Sequence, residues 1–133
     1  METRDTILRL IEQTALILRA FFNTLPLEDK GELALADFSS TLKTKLGIDL
    51  DFLLTLTCPE EIQTYFESHP SFDATNQELV ADLLVAKAAQ LERTNPQIAK
   101  AYQRLALCLY QGINQRTQIY NWEREAKITR LKQ

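Results

Sequence analysis

The sequence predicts an all-α fold, a bundle of about five to seven helices arranged as antiparallel helical hairpins. Three observations carry the prediction. Apolar residues recur at the i, i+3, i+4, i+7 spacing of one helix face along most of the 133 residues. Only 3 glycines and 4 prolines punctuate the chain, fewer turn points than a sandwich or barrel uses. No β-branched apolar runs alternate with the helical segments, as an α/β domain would require. A hydrophobic content of 45% over this length suits one globular core. No long linker or low-complexity stretch breaks it, so a single helical domain over residues 1–133 is expected.

A first helix is expected from Thr3 to Asn23, with Ile7, Leu10, Ile11, Thr14, Leu18, Phe21, Phe22 and Leu25 on one face and Leu25-Pro26 as its stop. Leu8, Leu16, Ile17, Phe21 and Phe22 give it more apolar surface than one stripe needs, which marks them as candidate contact residues for a protein partner or a homodimer. A second helix fits Glu28 to Leu46, with Leu35, Phe38, Leu42 and Leu46 buried, Lys43 and Lys45 in the last turn, and Gly47 as stop. Asp49 is placed to cap a short third helix, Leu50 to Thr57; the run is also compatible with a strand over so few residues, and helix is expected because an isolated strand has no partner to pair with. Thr57-Cys58-Pro59-Glu60-Glu61 then reads as a helix start, with a cap, a first-turn proline and acids at the positive end.

That fourth helix carries Ile62, Tyr65 and Phe66 and ends at Ser68-His69-Pro70-Ser71. Thr75 and Glu78 match a capping box for a fifth helix running to Arg93, with Leu79, Val80, Leu83, Leu84 and Leu91 on one face and Val85 and Ala89 on another. Asn95-Pro96 opens a sixth helix over Gln97–Gln111 with the stripe Ile98, Ala101, Tyr102, Leu105, Ala106, Leu109. Gly112 and Asn114 suggest a turn. A last helix, Gln115 to Leu131, is expected to bury Ile119, Trp122 and Ala126.

The run Ala99–Gly112 resembles the first helix of a tetratricopeptide repeat. Tyr102, Leu105, Ala106 and Leu109 stand at the aromatic, leucine, small and bulky places, and Gly112 lies near the usual turn. The second helix departs from that pattern, with Thr117 or Gln118, and Arg124 or Glu125, where alanines belong. The resemblance covers about a quarter of the chain and implies a helical hairpin that works by protein contact. The opening Ile7–Gln13 is similar to the starts of small bacterial all-helical proteins of unknown function.

Charge is unevenly distributed. Residues 1–95 hold 8 Lys+Arg against 16 Asp+Glu, a net of −8, whereas residues 96–133 hold 7 against 2, a net of +5. A basic C-terminal pair of helices lying against an acidic body accounts for this, and the sequence pI of 5.2 argues against a general nucleic-acid binder. The alternative is a polyanion-binding stripe of Arg116, Arg124, Lys127 and Arg130. Lys87 joins these as a candidate anion ligand. It projects into the stripe of Val80, Leu83, Leu84 and Leu91, where its stem is expected to lie on apolar surface with the ammonium at the rim. Trp122 is expected in the core rather than as a base-stacking platform.

Cys58 and Cys108 read as reduced, buried thiols. The N-terminus lacks the basic start of a signal peptide, and the apolar stretch 15–22 is broken by Arg19. We therefore expect a cytoplasmic protein with no membrane span. The one histidine, His69, has Glu67 two residues before it and Cys58 eleven before, which fits no metal-ligand spacing. No glycine-rich phosphate loop exists. The sequence thus implies no cofactor, no metal site and no assigned catalytic residue. A Cys58/His69 nucleophile pair is the one enzymatic alternative, since a helix N-terminus lowers a thiol pKa. Asp49 and Asp51, the nearest carboxylate pair, read as helix-start residues.

Overall fold

The computed structural model describes residues 4–24, 31–119 and 121–132, and of residues 24 and 31–37 only the backbone. The expected start at Thr3, the stop at Leu25-Pro26, the start at Glu28 and the side chain of Leu35 lie outside the described residues. Among these residues the secondary structure is all helical: α1 (Arg4–Thr24), α2 (Gly31–Leu46), α3 (Leu50–Thr55), α4 (Pro59–Glu67), α5 (Ala74–Leu91), α6 (Pro96–Thr117) and α7 (Trp122–Lys132). No helix among them is long and apolar enough to cross a membrane.

Helices α5 and α6 form the most extensive contact. Their short connection, together with the bond from Tyr110 on α6 back to Asp82 on α5, makes them an antiparallel hairpin. Helix α1 lies against α5 and α2; α4 and α7 lie against α6, and α3 bridges α2 and α6. The shared core holds Leu18 and Phe21 from α1, Phe38 and Leu42 from α2, Ile62 and Phe66 from α4, and the apolar faces of α5 and α6. Burying each such leucine or phenylalanine contributes about 1.5–3 kcal/mol. Phe21 meets Phe38 edge-on at 5.1 Å between centroids, and Phe38 tilts onto Tyr102 at 5.8 Å.

Local chemistry fixes the helix ends. Gly47 takes φ 71° after α2, and its N–H returns to the carbonyl of Lys43, closing the helix as an αL cap, while the N–H of the buried Ile48 returns to the carbonyl of Leu42. Asp49 caps α3 through Phe52 N–H at 3.1 Å. Asn95 caps α6 through Ile98 N–H, with Pro96 in the first turn. The buried Asn76 donates to the carbonyls of Ile11 and Ser71 at 3.0 and 2.8 Å, tying α1 to the start of α5.

Several expectations fail at this level. Asp73, not Thr75, caps α5, because its carboxylate accepts from Asn76 N–H. Cys58 occupies the N-cap of α4 and makes no capping bond. Gly112 makes no turn: it is buried inside α6, which continues to Thr117 and ends on Gln118 in the left-handed region at φ 54°. The glycine serves packing instead, since the Gln63 amide of α4 sits where a Cβ would stand. Helix α7 accordingly begins at Trp122, where Asn121 caps it through Arg124 N–H. Its buried face is Arg124 and Ile128 rather than Ile119, Trp122 and Ala126. Trp122 is 80% exposed and Ile119 67%. Ala89, Leu10 and Phe22 also face outward.

The Gly112–Gln63 contact is testable by a double-mutant cycle. With Gln63→Ala in place, Gly112→Ala is expected to stabilise by about 1 kcal/mol through helix propensity. With Gln63 present the new methyl must displace the amide, so the gain is expected to vanish or reverse, a coupling of about 1 kcal/mol or more in chemical denaturation. Equal effects in the two backgrounds would contradict the packing role.

Candidate functional site

Two polar constructions stand out on this scaffold: a cleft between α2, α3 and α6, and a charged clasp joining α7 to α5 and α6. The cleft has a volume of about 530 Å³, within the range of small-ligand sites. Its walls are Ser39, Ser40 and Lys43 of α2, Leu50, Asp51 and Leu54 of α3 with its cap Asp49, and Ile98 and Tyr102 of α6 with its cap Asn95. Because α3 is only one short helix after the Gly47 turn, Asp49 and Asp51 are both presented at the cleft wall. Asp49 Oδ1 is taken by the cap bond, and Asp51 Oδ1 accepts from Ser39 Oγ at 3.5 Å. Among the described residues neither aspartate nor Lys43 has an ion-pair partner.

Tyr102 is the most distinctive element of the cleft. The residue is 2% exposed, its ring is held by Phe38, and among the described residues its hydroxyl makes no hydrogen bond. Burial, and after it the charge of Asp51, push the phenol well above the ordinary tyrosine range. The hydroxyl thus faces the cleft as a hydrogen-bond donor.

The clasp is fully engaged. Arg124 donates from Nε and Nη2 to Glu78 Oε1 at 3.2 and 3.0 Å, and from Nη1 to Asn114 at 2.8 Å. Lys127 Nζ bridges Glu78 and Asp82, at 3.0 Å to each, and lies 5.5 Å from the centre of the Tyr110 ring. Tyr110 donates to Asp82, and Asn114 donates to Glu125. Burial opposes ionisation of Glu78, but the bonds from Lys127 and Arg124 outweigh it and hold the carboxyl below its ordinary value. Burial likewise opposes charge on Lys127, and its bonds to Glu78 and Asp82 outweigh that and raise its pKa.

The proposed anion-binding residues are thus divided. Arg124 and Lys127 hold the acids of α5, while Arg116 and Arg130 are exposed. Lys87 belongs to neither group: it is 1% exposed, so its ammonium is not at the rim. Its Nζ donates to Gln90 at 3.3 Å and lies 5.6 Å from the centre of the Phe38 ring. Of the contact residues on α1, Leu8 and Leu16 are exposed at 48% and 64% and Phe22 is exposed, Ile17 is half-buried, and Phe21 is buried.

Cys58 and His69 flank opposite ends of the nine-residue α4, more than about 13 Å apart at the helical rise, beyond any proton transfer. Cys58 donates to Glu60. His69 Nδ1 lies 3.0 Å from the Tyr65 carbonyl, and its ring stacks on Tyr65 at 4.7 Å. Burial pushes the Cys108 thiol up, with Arg104 partly offsetting it. Among the described residues no three His, Cys, Asp or Glu side chains gather as metal ligands would. Compared with family models, curated proteins and solved structures, the chain matches none.

The cleft was missed in the sequence because its walls come from positions 39–54 and 95–102. Tyr102 carried a signal only as a core aromatic.

The clasp predicts a pH window. Glu78, with a lowered folded pKa, contributes stability that is complete above its unfolded value of about 4.3 and is lost as pH falls through the folded value. Lys127, with a raised folded pKa, contributes stability that is complete below about 10.4 and is lost as pH rises through its folded value. Stability from the clasp is therefore expected to be flat between about pH 5 and 10 and to fall on either side. Glu78→Gln is expected to cost about 2 kcal/mol at pH 7, between an exposed and a fully buried pair, and to flatten the acid limb in denaturation measured across pH. An unchanged acid limb would show that Glu78 is not its source.

Proposed function

We propose that this chain is a protein–protein interaction module that self-associates through α1. The observation that carries the reading is the outer surface of α1. Its buried stripe is Thr14, Leu18 and Phe21, with Ile7 and Ile11 partly covered, yet Leu8, Leu10, Leu16 and Phe22 remain exposed. Leu8, Ala15 and Phe22 stand seven residues apart and form one row along the shoulder of the helix, the spacing by which a second helix is packed.

The chemistry around that row favours a second copy of the same chain. The exposed side of α1 carries both signs of charge, Arg4, Arg9 and Arg19 beside Asp5 and Glu12. A two-fold pairing brings the same patch from each copy together, and a patch of mixed sign suits that arrangement better than a uniformly charged partner.

The tetratricopeptide resemblance of α6 adds support: Tyr102, Leu105, Ala106 and Leu109, which carry it, are all buried, and Gln97, Lys100 and Arg104 on the exposed side of α6 are left for contact. The similarity of Ile7–Gln13 to small bacterial helical proteins supports a bacterial source. A polyanion-binding reading draws on less, because Arg124 and Lys127 already hold Glu78 and Asp82.

Light scattering or sedimentation over a wide concentration range tests the proposal. The wild-type chain is expected to move from monomer to dimer mass as concentration rises, and Leu8→Glu with Phe22→Glu to stay monomeric with an unchanged melting temperature, since both side chains are exposed. A strictly monomeric wild-type chain at millimolar concentration would remove the proposal.

A further inference from the structure

The cleft between α2, α3 and α6 has features that helix packing does not require. A buried phenol normally finds a partner, because an unmade hydrogen bond in a low-dielectric site is costly. Tyr110 follows that rule through Asp82. Tyr102 has no such partner among the described residues: as a residue it is as buried as Tyr110, but its hydroxyl is not one of the sealed-off polar atoms and opens onto the cavity it lines. A phenylalanine would fill the core equally well. The hydroxyl is a donor held ready for something that enters the cleft.

What enters must match the rest of the wall. Asp51 and Asp49 place carboxylate oxygens at the wall, and Lys43, a cation that also lines the cleft, pairs with neither among the described residues. Leu54 and Ile98 supply apolar surface. A carboxylate reached across apolar walls is the environment in which a long aliphatic cation is held, its methylene stem on the leucine and isoleucine and its charge on the acid. The volume exceeds what one side chain fills, leaving room for flanking backbone. The Tyr102 hydroxyl then faces a carbonyl acceptor, and Lys43, at the exposed end of α2, can serve a second one.

We propose that this cleft binds a lysine or arginine side chain together with its adjoining peptide carbonyl, the cation on Asp51 and the carbonyl on the Tyr102 hydroxyl. The site contains no residue of α1, so it is independent of self-association, and the Leu8→Glu, Phe22→Glu chain should bind as wild type does. The same cationic chemistry is offered by free diamines, which lack the carbonyl.

The test is an amide chemical-shift titration of the full chain with three probes: a capped Gly-Lys-Gly tripeptide, the same peptide with acetylated lysine, and 1,5-diaminopentane. The lysine peptide is expected to shift amides of residues 49–54 and 95–102 and the acetylated one to leave them unmoved. Asp51→Asn is expected to weaken the lysine peptide about tenfold. Tyr102→Phe is expected to weaken it about fivefold, leaving diamine binding and the melting temperature unchanged. If the diamine binds as tightly as the peptide and Tyr102→Phe affects neither, the carbonyl contact is wrong and the proposal fails in that part. Absence of shifts in the cleft at millimolar probe, or equal binding of the acetylated peptide, would overturn it. A large loss of melting temperature in Tyr102→Phe would also count against it, by giving the hydroxyl a structural role.

Discussion

Helix α5 has no broad solvated side. Asn76, Gln77, Val80, Ala81, Leu83, Leu84, Lys87, Ala88 and Leu91 are buried, and of its eighteen residues only Thr75 and Ala89 are exposed. A helix covered to this extent must be packed on several sides at once, and the chain supplies α6 and α1 directly, with α7 fastened by side-chain bonds. Alanines 81, 86 and 88 let neighbours approach closely, while the leucines fill the space between. The α5–α6 hairpin is thus the framework, and the other helices are placed by what they bury against it.

The uneven charge of the sequence is resolved within the molecule. Glu78 and Asp82 lie on the flank of α5 that α7 covers, and Arg124 and Lys127 of the basic C-terminal segment meet them there. Because these groups are partly desolvated and each is multiply bonded, they fix the rotation of α7 about its own axis. That explains why an arginine is buried while a tryptophan two residues earlier faces solvent.

Much of the architecture was legible in the sequence. The 3.6-residue period located the longer helices, α3 followed from the lack of any strand to pair with, and Gly47, Asp49, Asn95 and Pro96 marked ends correctly because capping is local chemistry. What failed depended on partners distant in the chain. Gly112 looks like a turn until Gln63 is seen above it. The face of α7 was misassigned because periodicity counts an arginine as solvent-facing, and its bonds to Glu78, 46 residues away, and to Asn114 reverse that. Thr75 and Asp73 are both good caps, and the geometry of the entering loop chose between them. The surplus apolar surface of α1 was readable for Leu8 and Leu16 but not for Phe21, which Phe38 covers. The cleft could not be read at all, since no spacing rule connects Ser39, Asp51 and Tyr102.

The claim on which the account rests is that stability is concentrated in the α5–α6 hairpin and declines toward α1 and α7. Native-state amide hydrogen exchange tests it most directly. Interior amides of residues 80–91 and 99–113 should be the slowest, exchanging only through global unfolding, while α7 opens earlier and at lower free energy in a Glu78→Gln chain. Exchange from α5 as fast as from α1 or α7 would contradict the account, because the helix on which the others are packed would then not hold the fold together.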